Sequence, residues 1–308
     1  MKREPEIAIK KPSFFVVGAP KSGTTSLYFY LKSHPSIFLP RRKELLFFCD
    51  DLHFTFPLLN ERQFLEYYSG VTNQAAIGEV SVWNLYSANA ARNIFEFNPD
   101  SRIIIMLRNP VDMLQALHSN HVFNSNETID DFEQALNAEE DRKEGRRISA
   151  VIKCPVEGLF YSEVASYAQQ VHRYYRIFGK QKVLVILFDD FIKSTKETYN
   201  DILRFLEIED SYTPEFKIYN ANKTIKSRFL KYVTIDPPQW LKATGKVLFP
   251  HQSKKRDQLM QWLWKINTKQ ADKPVISEDL RLKLSNRFRA EIHDLSRVID
   301  RDISQWLQ

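Results

Sequence analysis

Short apolar runs recur along this chain, each closed by a turn residue and followed by a stretch with apolar positions at helical spacing. Phe14 to Val17 is the first, bounded by Gly18 and Pro20, and predicts a buried strand. Thr24 to Leu31 then carries Leu27, Tyr28 and Leu31 on one helical face. Ile37 to Leu39, Ala75 to Val80, Arg102 to Leu107 and Val183 to Phe188 read as further strands. RIIIML at 102–107 is the strongest of them, continuous and β-branched, as a strand covered on both faces requires. Between and after them, residues 60–69, 87–97, 111–123, 162–178 and 195–206 have helical periodicity, with Pro110 opening the third and Gly179 closing the fourth. Strand alternating with helix predicts an α/β fold, a central parallel sheet flanked by helices, with ligands beyond the carboxyl ends of the strands.

Two regions break the rhythm. Residues 124–157 are polar and charged apart from a helical patch at Phe132 to Leu136, and predict a mobile insertion serving as a substrate-side lid. Residues 223–256 hold nine Lys/Arg against the single acid Asp236, with Pro237-Pro238 inside, and predict an irregular basic segment crossing the ligand site. Helices are expected after it at 257–267 and 277–297. No repeat or linker divides the chain, so one domain over 1–308 is expected, with a core at about 12–228 and a helical C-terminal extension at 229–308.

Composition narrows the picture modestly. With 308 residues, 43% hydrophobic and 27% charged, the chain has the makings of a substantial core and not of a disordered polymer. A net charge of +6 suits a polyanionic ligand, but equally nucleic acid or an anionic surface. Cys49 and Cys154 make no disulfide framework. The charged N-terminus lacks the apolar core of a signal peptide, and no apolar run reaches the roughly 18 residues of a membrane span. A soluble, cytoplasmic protein is the expectation. No Cys/His cluster has metal-ligand spacing, so no metal is expected.

Chemistry concentrates where the first strand turns into the first helix. Strand, glycine-bearing turn and helix bring backbone N–H groups together, Lys21 adds a positive charge, and Ser22, Thr24, Thr25 and Ser26 add hydroxyls. Such a pocket suits phosphate or sulfate. A Walker A loop would place lysine after the second glycine, whereas Thr24 follows Gly23 and the lysine comes earlier. The order Pro20-Lys21-Ser22-Gly23-Thr24-Thr25 instead resembles the 5′-phosphosulfate loop of sulfotransferases that use 3′-phosphoadenosine 5′-phosphosulfate (PAPS) and release the bisphosphate PAP.

That resemblance, closest in motif style to the heparan-sulfate-type and bacterial branch, covers about residues 12–228. It implies a P-loop-like sulfotransferase fold in which Pro20 to Ser26 surround the 5′-phosphosulfate. Arg108, ending RIIIMLR before Asn109-Pro110, is similar to the family's 3′-phosphate site; the serine usually found eight residues later is Ala116 here, leaving Ser119 as a substitute. The resemblance also implies cofactor contacts from Tyr161 in GLFY and from Asn222 and Lys223, with Lys226 and Arg228 behind them. For the base, Glu44 in KELLFF matches the family's catalytic glutamate, although Leu46 stands where a histidine is frequent. Glu79 in GEVS, His118 and His121 are the other candidates, and His34 beside Pro35 reads as structural. The implied activity is metal-free transfer of SO₃ to a hydroxyl, or an amine, of a small-molecule or carbohydrate acceptor such as a secondary metabolite. Lys21 would stabilise the transferring charge while Glu44 or His118 takes the proton. Two other readings remain open: a P-loop kinase using ATP and magnesium, and a non-catalytic module binding polyanions.

Overall fold

Five of the apolar runs pair into one parallel sheet. In the computed structural model, which describes residues 10–209, 212–217, 219, 223–225, 266, 268–270 and 276–307, these are β1 (Phe14–Gly18), β2 (Ile37–Phe38), β3 (Ala76–Val80), β4 (Arg102–Leu107) and β5 (Val183–Leu187). Their order across the sheet is β2-β3-β1-β4-β5. From β1 the chain runs out to one edge and back, then crosses to the other side, so the order reverses between β1 and β4. That is the crevice in which an open α/β sheet binds ligands. β6 (Lys223–Ile225) and β7 (Thr268–Gln270) form a separate antiparallel pair.

Alternation along the central strands explains why helices cover both faces. Phe15, Val17, Ile103, Ile105 and Leu107 point to one side, where they pack with α3 (Ala90–Phe97), α4 (Pro110–Phe123) and α8 (Tyr167–Phe178). Phe14, Val16, Ile104 and Met106 point to the other, against α1 (Thr24–Ser33) and α10 (Thr195–Phe205). The shorter helices are α2 (Glu61–Glu66), α5 (Phe132–Asn137), α6 (Glu139–Lys143), α7 (Tyr161–Val164) and α9 (Phe188–Lys193). Near the end of the chain, α11 (Glu278–Arg287) lies on α4, and α12 (Arg289–Ile299) packs along α8. No helix among the described residues is long and apolar enough to cross a membrane.

Three expectations about local structure change. The helix expected over 162–178 is broken at Ala165–Ser166, and the amide of Ala168, orphaned at the restarted helix, donates to Glu291 Oε1 of α12 at 2.6 Å. The helix at 277–297 is likewise two, divided at Phe288. Residues 124–157 are not a loose polar flap. Glu127 and Arg142 form an ion pair at 2.6 Å with both side chains fully buried, and Arg142 also donates to the carbonyls of Ala135 and Leu159, each at 3.0 Å. The helix expected at 257–267 falls almost wholly outside the described residues.

Candidate active site

The β1–α1 turn is shaped by its backbone. Gly23 precedes the helix with φ 90°, in left-handed territory, and a Cβ there would come within 3.0 Å of the Phe188 ring. Lys21 also has positive φ, 58°. The amide of Ala19 donates to the Met106 carbonyl at 2.6 Å, tying the turn to β4. Ser22 is fully buried and its hydroxyl donates to the Pro20 carbonyl at 3.3 Å, so it braces the turn from inside. The first intrahelical bond of α1 comes from Leu27 N, and no acidic residue lies in that first turn. No acidic side chain in that first turn offsets the partial positive charge of the helix start. Ser26 exchanges hydrogen bonds of 3.4–3.5 Å with the backbone of Tyr219, which brings the later chain over the start of α1.

One strand over, Arg108 leaves the end of β4 and donates from Nη1 to the Lys21 carbonyl at 3.3 Å, its guanidinium lying over the Phe188 ring. Burial draws its pKa down, while Asp112, Tyr167 and Asp189 act in the opposite sense. Asn109 caps α4 by accepting from Val111 N at 2.9 Å and donates to the Trp306 carbonyl at 3.0 Å. Trp306 in turn donates its indole N–H to Asp189 at 2.8 Å. The extension at the end of the chain thus walls in the Arg108 side. Tyr167, at the start of α8, is fully buried with its hydroxyl unpartnered among the described residues; burial pushes the phenol up and Arg108 draws it down. Ser119 directs its hydroxyl back to the Gln115 carbonyl of its own helix at 2.9 Å. Of the late basic loop, β6 runs beside α4 and contains Lys223, while Asn222, Lys226 and Arg228 lie outside the described residues.

Glu44 occupies a turn in which both it and Leu46 have positive φ, 61° and 60°. Its amide donates to the Val80 carbonyl at 2.9 Å and its Oε2 accepts from Val82 N at 2.9 Å, fixing the carboxylate beside the end of β3. Lys43 bridges the two halves of the site: Nζ donates to Glu44 Oε1 at 2.7 Å and to Thr24 Oγ1 at 3.1 Å. Beneath the turn, Leu46 N donates to Ser81 Oγ at 3.2 Å, Ser81 donates to Glu79, and Asn84 donates to Glu79 Oε2 at 3.3 Å. Burial raises the Glu79 carboxyl to about 8, helped by the charge of Glu44 and opposed by the Ser81 bond. Glu79 is 1% exposed, so it supports the turn from below and does not face the cleft.

The structure does not bring His118 or Tyr161 to this cluster. His118 is buried between the rings of Phe132 and Tyr161, and its Nε2 donates to the Ile129 carbonyl at 2.8 Å. Burial lowers its pKa, against the opposing pull of the Ile129 carbonyl and Glu127. A ring sealed in this way does not meet an acceptor hydroxyl, and the expectation of a His118 base is corrected accordingly. Tyr161 is fully buried and donates to Glu127 at 3.0 Å, with Arg142 over its ring, so it belongs to the ion-pair network and not to a nucleotide surface. His121 is buried too, bonded to the Gly158 carbonyl at 3.3 Å, and burial depresses it to about 3. His34 accepts from Ser36 N at 3.1 Å inside its turn. Lys43, the residue before Glu44 in the sequence, is a member of the site that the sequence does not single out. Its neighbour Thr24 lies nineteen positions away, and only folding reveals the bridge.

Among the described residues no group of three or more His, Cys, Asp or Glu could hold a metal ion. The sulfotransferase domain family matches residues 11–259. The membrane-associated sulfotransferase kil1 of Dictyostelium discoideum is 33% identical over 101 residues, 33% of this chain and 21% of that protein. Human carbohydrate sulfotransferase 15 is 23% identical over 248 residues, covering 64% of this chain and 44% of the relative. The chain thus spans less than half the length of these curated relatives. The crystal structure of a sulfotransferase from Alicyclobacillus acidocaldarius superposes with a TM-score of 0.73 at 27% identity, covering 97% of this chain and 100% of the other.

Proposed function

The chain belongs to the sulfotransferase domain family, and from that premise we propose that it moves SO₃ from PAPS to a hydroxyl of a sugar or small-molecule acceptor. One observation carries the choice of donor. Lys21 and Arg108 stand on adjacent strand ends at the sheet's switch point, joined through the Lys21 carbonyl, which suits a cofactor anionic at both ends. The acid-free start of α1 and the buried hydroxyl of Tyr167 fit the same ligand. The similarity to a carbohydrate sulfotransferase supports a sugar-like acceptor.

PAPS supplies the sulfuryl group, whose bond to the 5′-phosphate breaks as a bond to the acceptor oxygen forms. Lys21 and the amides of the β1–α1 turn stabilise the negative charge spread over the sulfuryl oxygens and the leaving phosphate. Arg108 holds the 3′-phosphate. Glu44, fixed by Val82 N, takes the proton of the acceptor hydroxyl.

A thermal-shift series tests the reading. PAP should raise the melting temperature by mass action, with ATP–Mg²⁺ much weaker. Absence of a PAP response at millimolar concentration removes it, and a stronger response to ATP–Mg²⁺ makes the chain a kinase instead. Mass spectrometry of a metabolite extract incubated with PAPS, seeking gains of one SO₃, then identifies the acceptor.

A further inference from the structure

We propose that Lys43 is a second catalytic cation, which restrains Glu44 until the donor is bound and then moves onto the transferring group. The inference rests on the PAPS reading above and extends it to a residue outside the loop motif. Its basis is the position of one ammonium between two acceptors that belong to different halves of the reaction. Glu44 Oε1, at 2.7 Å, is on the acceptor side; Thr24 Oγ1, at 3.1 Å, is on the first residue of α1, where the donor anion would sit.

The neighbouring basic residues do not share this place. Arg41 and Arg42 are exposed, and Arg42 reaches the Tyr67 hydroxyl at 3.4 Å. The Lys43 side chain is only 18% exposed and that of Glu44 32%. An ammonium carries three N–H donors, and among the described residues these two acceptors account for two of them. Its four-carbon stem allows the charge to swing between acceptors, which a forked guanidinium in a fixed geometry does less readily.

In the structure both oxygens of Glu44 are engaged, Oε1 by Lys43 and Oε2 by Val82 N. Both oxygens keep lone pairs, but Lys43, held between Glu44 Oε1 and Thr24 Oγ1, stands on the side of the carboxylate that faces the donor, and its withdrawal clears the approach of an incoming hydroxyl from that side. The backbone bond is fixed by the fold; the lysine bond is not. A multiply charged phosphosulfate beside Thr24 attracts the ammonium more strongly than one carboxylate does. Its departure frees Oε1. The acceptor O–H then gives its proton to Glu44, the acceptor oxygen bonds to sulfur, and the S–O bond to the 5′-phosphate breaks with its electron pair left on PAP. Lys43 and Lys21 neutralise that charge from two sides. The free enzyme consequently keeps its base shut, and donor binding precedes productive acceptor binding.

The test combines Lys43→Met, Lys43→Arg and Glu44→Gln, with sulfate transfer from PAPS, PAP binding by calorimetry and melting temperature as readouts. Lys43→Met should lower kcat by about 10²–10³-fold, the usual effect of removing one donor to developing charge, and weaken PAP binding as well, with melting temperature nearly unchanged. Lys43→Arg should recover part of the loss. The decisive arm is Lys43→Met in a Glu44→Gln background, where no carboxylate is left to restrain. A further fall in residual turnover supports direct contact with the transferring group. Equal turnover with and without Lys43 in that background reduces the lysine to a counter-ion and overturns the proposal, as does a single mutant with wild-type kcat. Wild-type protein that neither binds PAP nor turns over PAPS sinks the donor reading itself, and this proposal with it.

Discussion

Two clusters of charge in the molecule follow opposite designs. The cluster of Glu127, Arg142 and Tyr161 is sealed: Arg142 and Tyr161 donate to Glu127, which also accepts from the amides of Thr128 and Ile129, Arg142 donates to two carbonyls, and its Nε finds no partner among the described residues. The cluster of Lys21, Lys43, Glu44 and Arg108 is half-open and sits on backbone in left-handed conformations at Lys21 and Glu44. In the first, charge holds two segments together. In the second, charge is presented to something else. The contrast teaches that a basic residue beside an acidic one in sequence says nothing about its purpose until burial and partners are known.

Breaking the sealed cluster should have the largest effect. Arg142→Met leaves Glu127 buried without its counter-charge, and stability should fall by about 3–5 kcal/mol in chemical denaturation. Adding Glu127→Gln should recover part of that loss, because the isolated charge is removed. In the open cluster the largest effect should be kinetic. Lys21→Ala should raise the barrier to transfer by about 2.7–4 kcal/mol while the melting temperature stays close to wild type. A matching loss of stability there would erase the distinction between the clusters.

Glu79 sharpens the comparison with a smaller effect. Its folded pKa of about 8 lies above its ordinary value of 4.5. Between those values the unfolded chain releases a proton that the folded chain keeps, so this group's contribution to stability is complete below the window and is lost as pH rises through it. Glu79→Gln should therefore flatten the pH dependence by at most about 1.4 kcal/mol per pH unit, read as the difference between mutant and wild-type denaturation curves. His121, depressed to about 3, acts in the opposite sense below its ordinary 6.5, and the subtraction cancels it. Smallest of all, Arg281→Ala opens a half-exposed pair with Asp112 at 2.8 Å and should cost about 0–1 kcal/mol.

The sheet was legible because β1, β4 and β5 are apolar without interruption, which a strand covered on both faces demands. The loop from Pro20 to Ser26 and Arg108 were legible for a related reason: both sit where such a run stops. What escaped was set by tertiary contact. Glu127 and Arg142 read as solvated charges, because nothing in sequence marks a pair fifteen positions apart that folding buries whole. The break before Tyr167 depends on Glu291, more than a hundred residues later. His118 stands on the helix that follows Arg108, at a spacing compatible with either side, and the carbonyl of Ile129 decides which. Lys43 needed the positive-φ turn at Glu44 and Leu46, which ordinary residues adopt only when their surroundings hold them there.

Asn109, the residue next to Arg108, is held by the carbonyl of Trp306 across nearly two hundred positions. During synthesis on the ribosome, β1 and β4 emerge and can pair long before that tryptophan leaves the exit tunnel. A nascent chain therefore has its lysine and arginine in hand but not the wall that steadies them. The cleft acquires its finished shape only after the nearly two hundred residues between Asn109 and Trp306 have been made, so it closes later than the sheet that bears it.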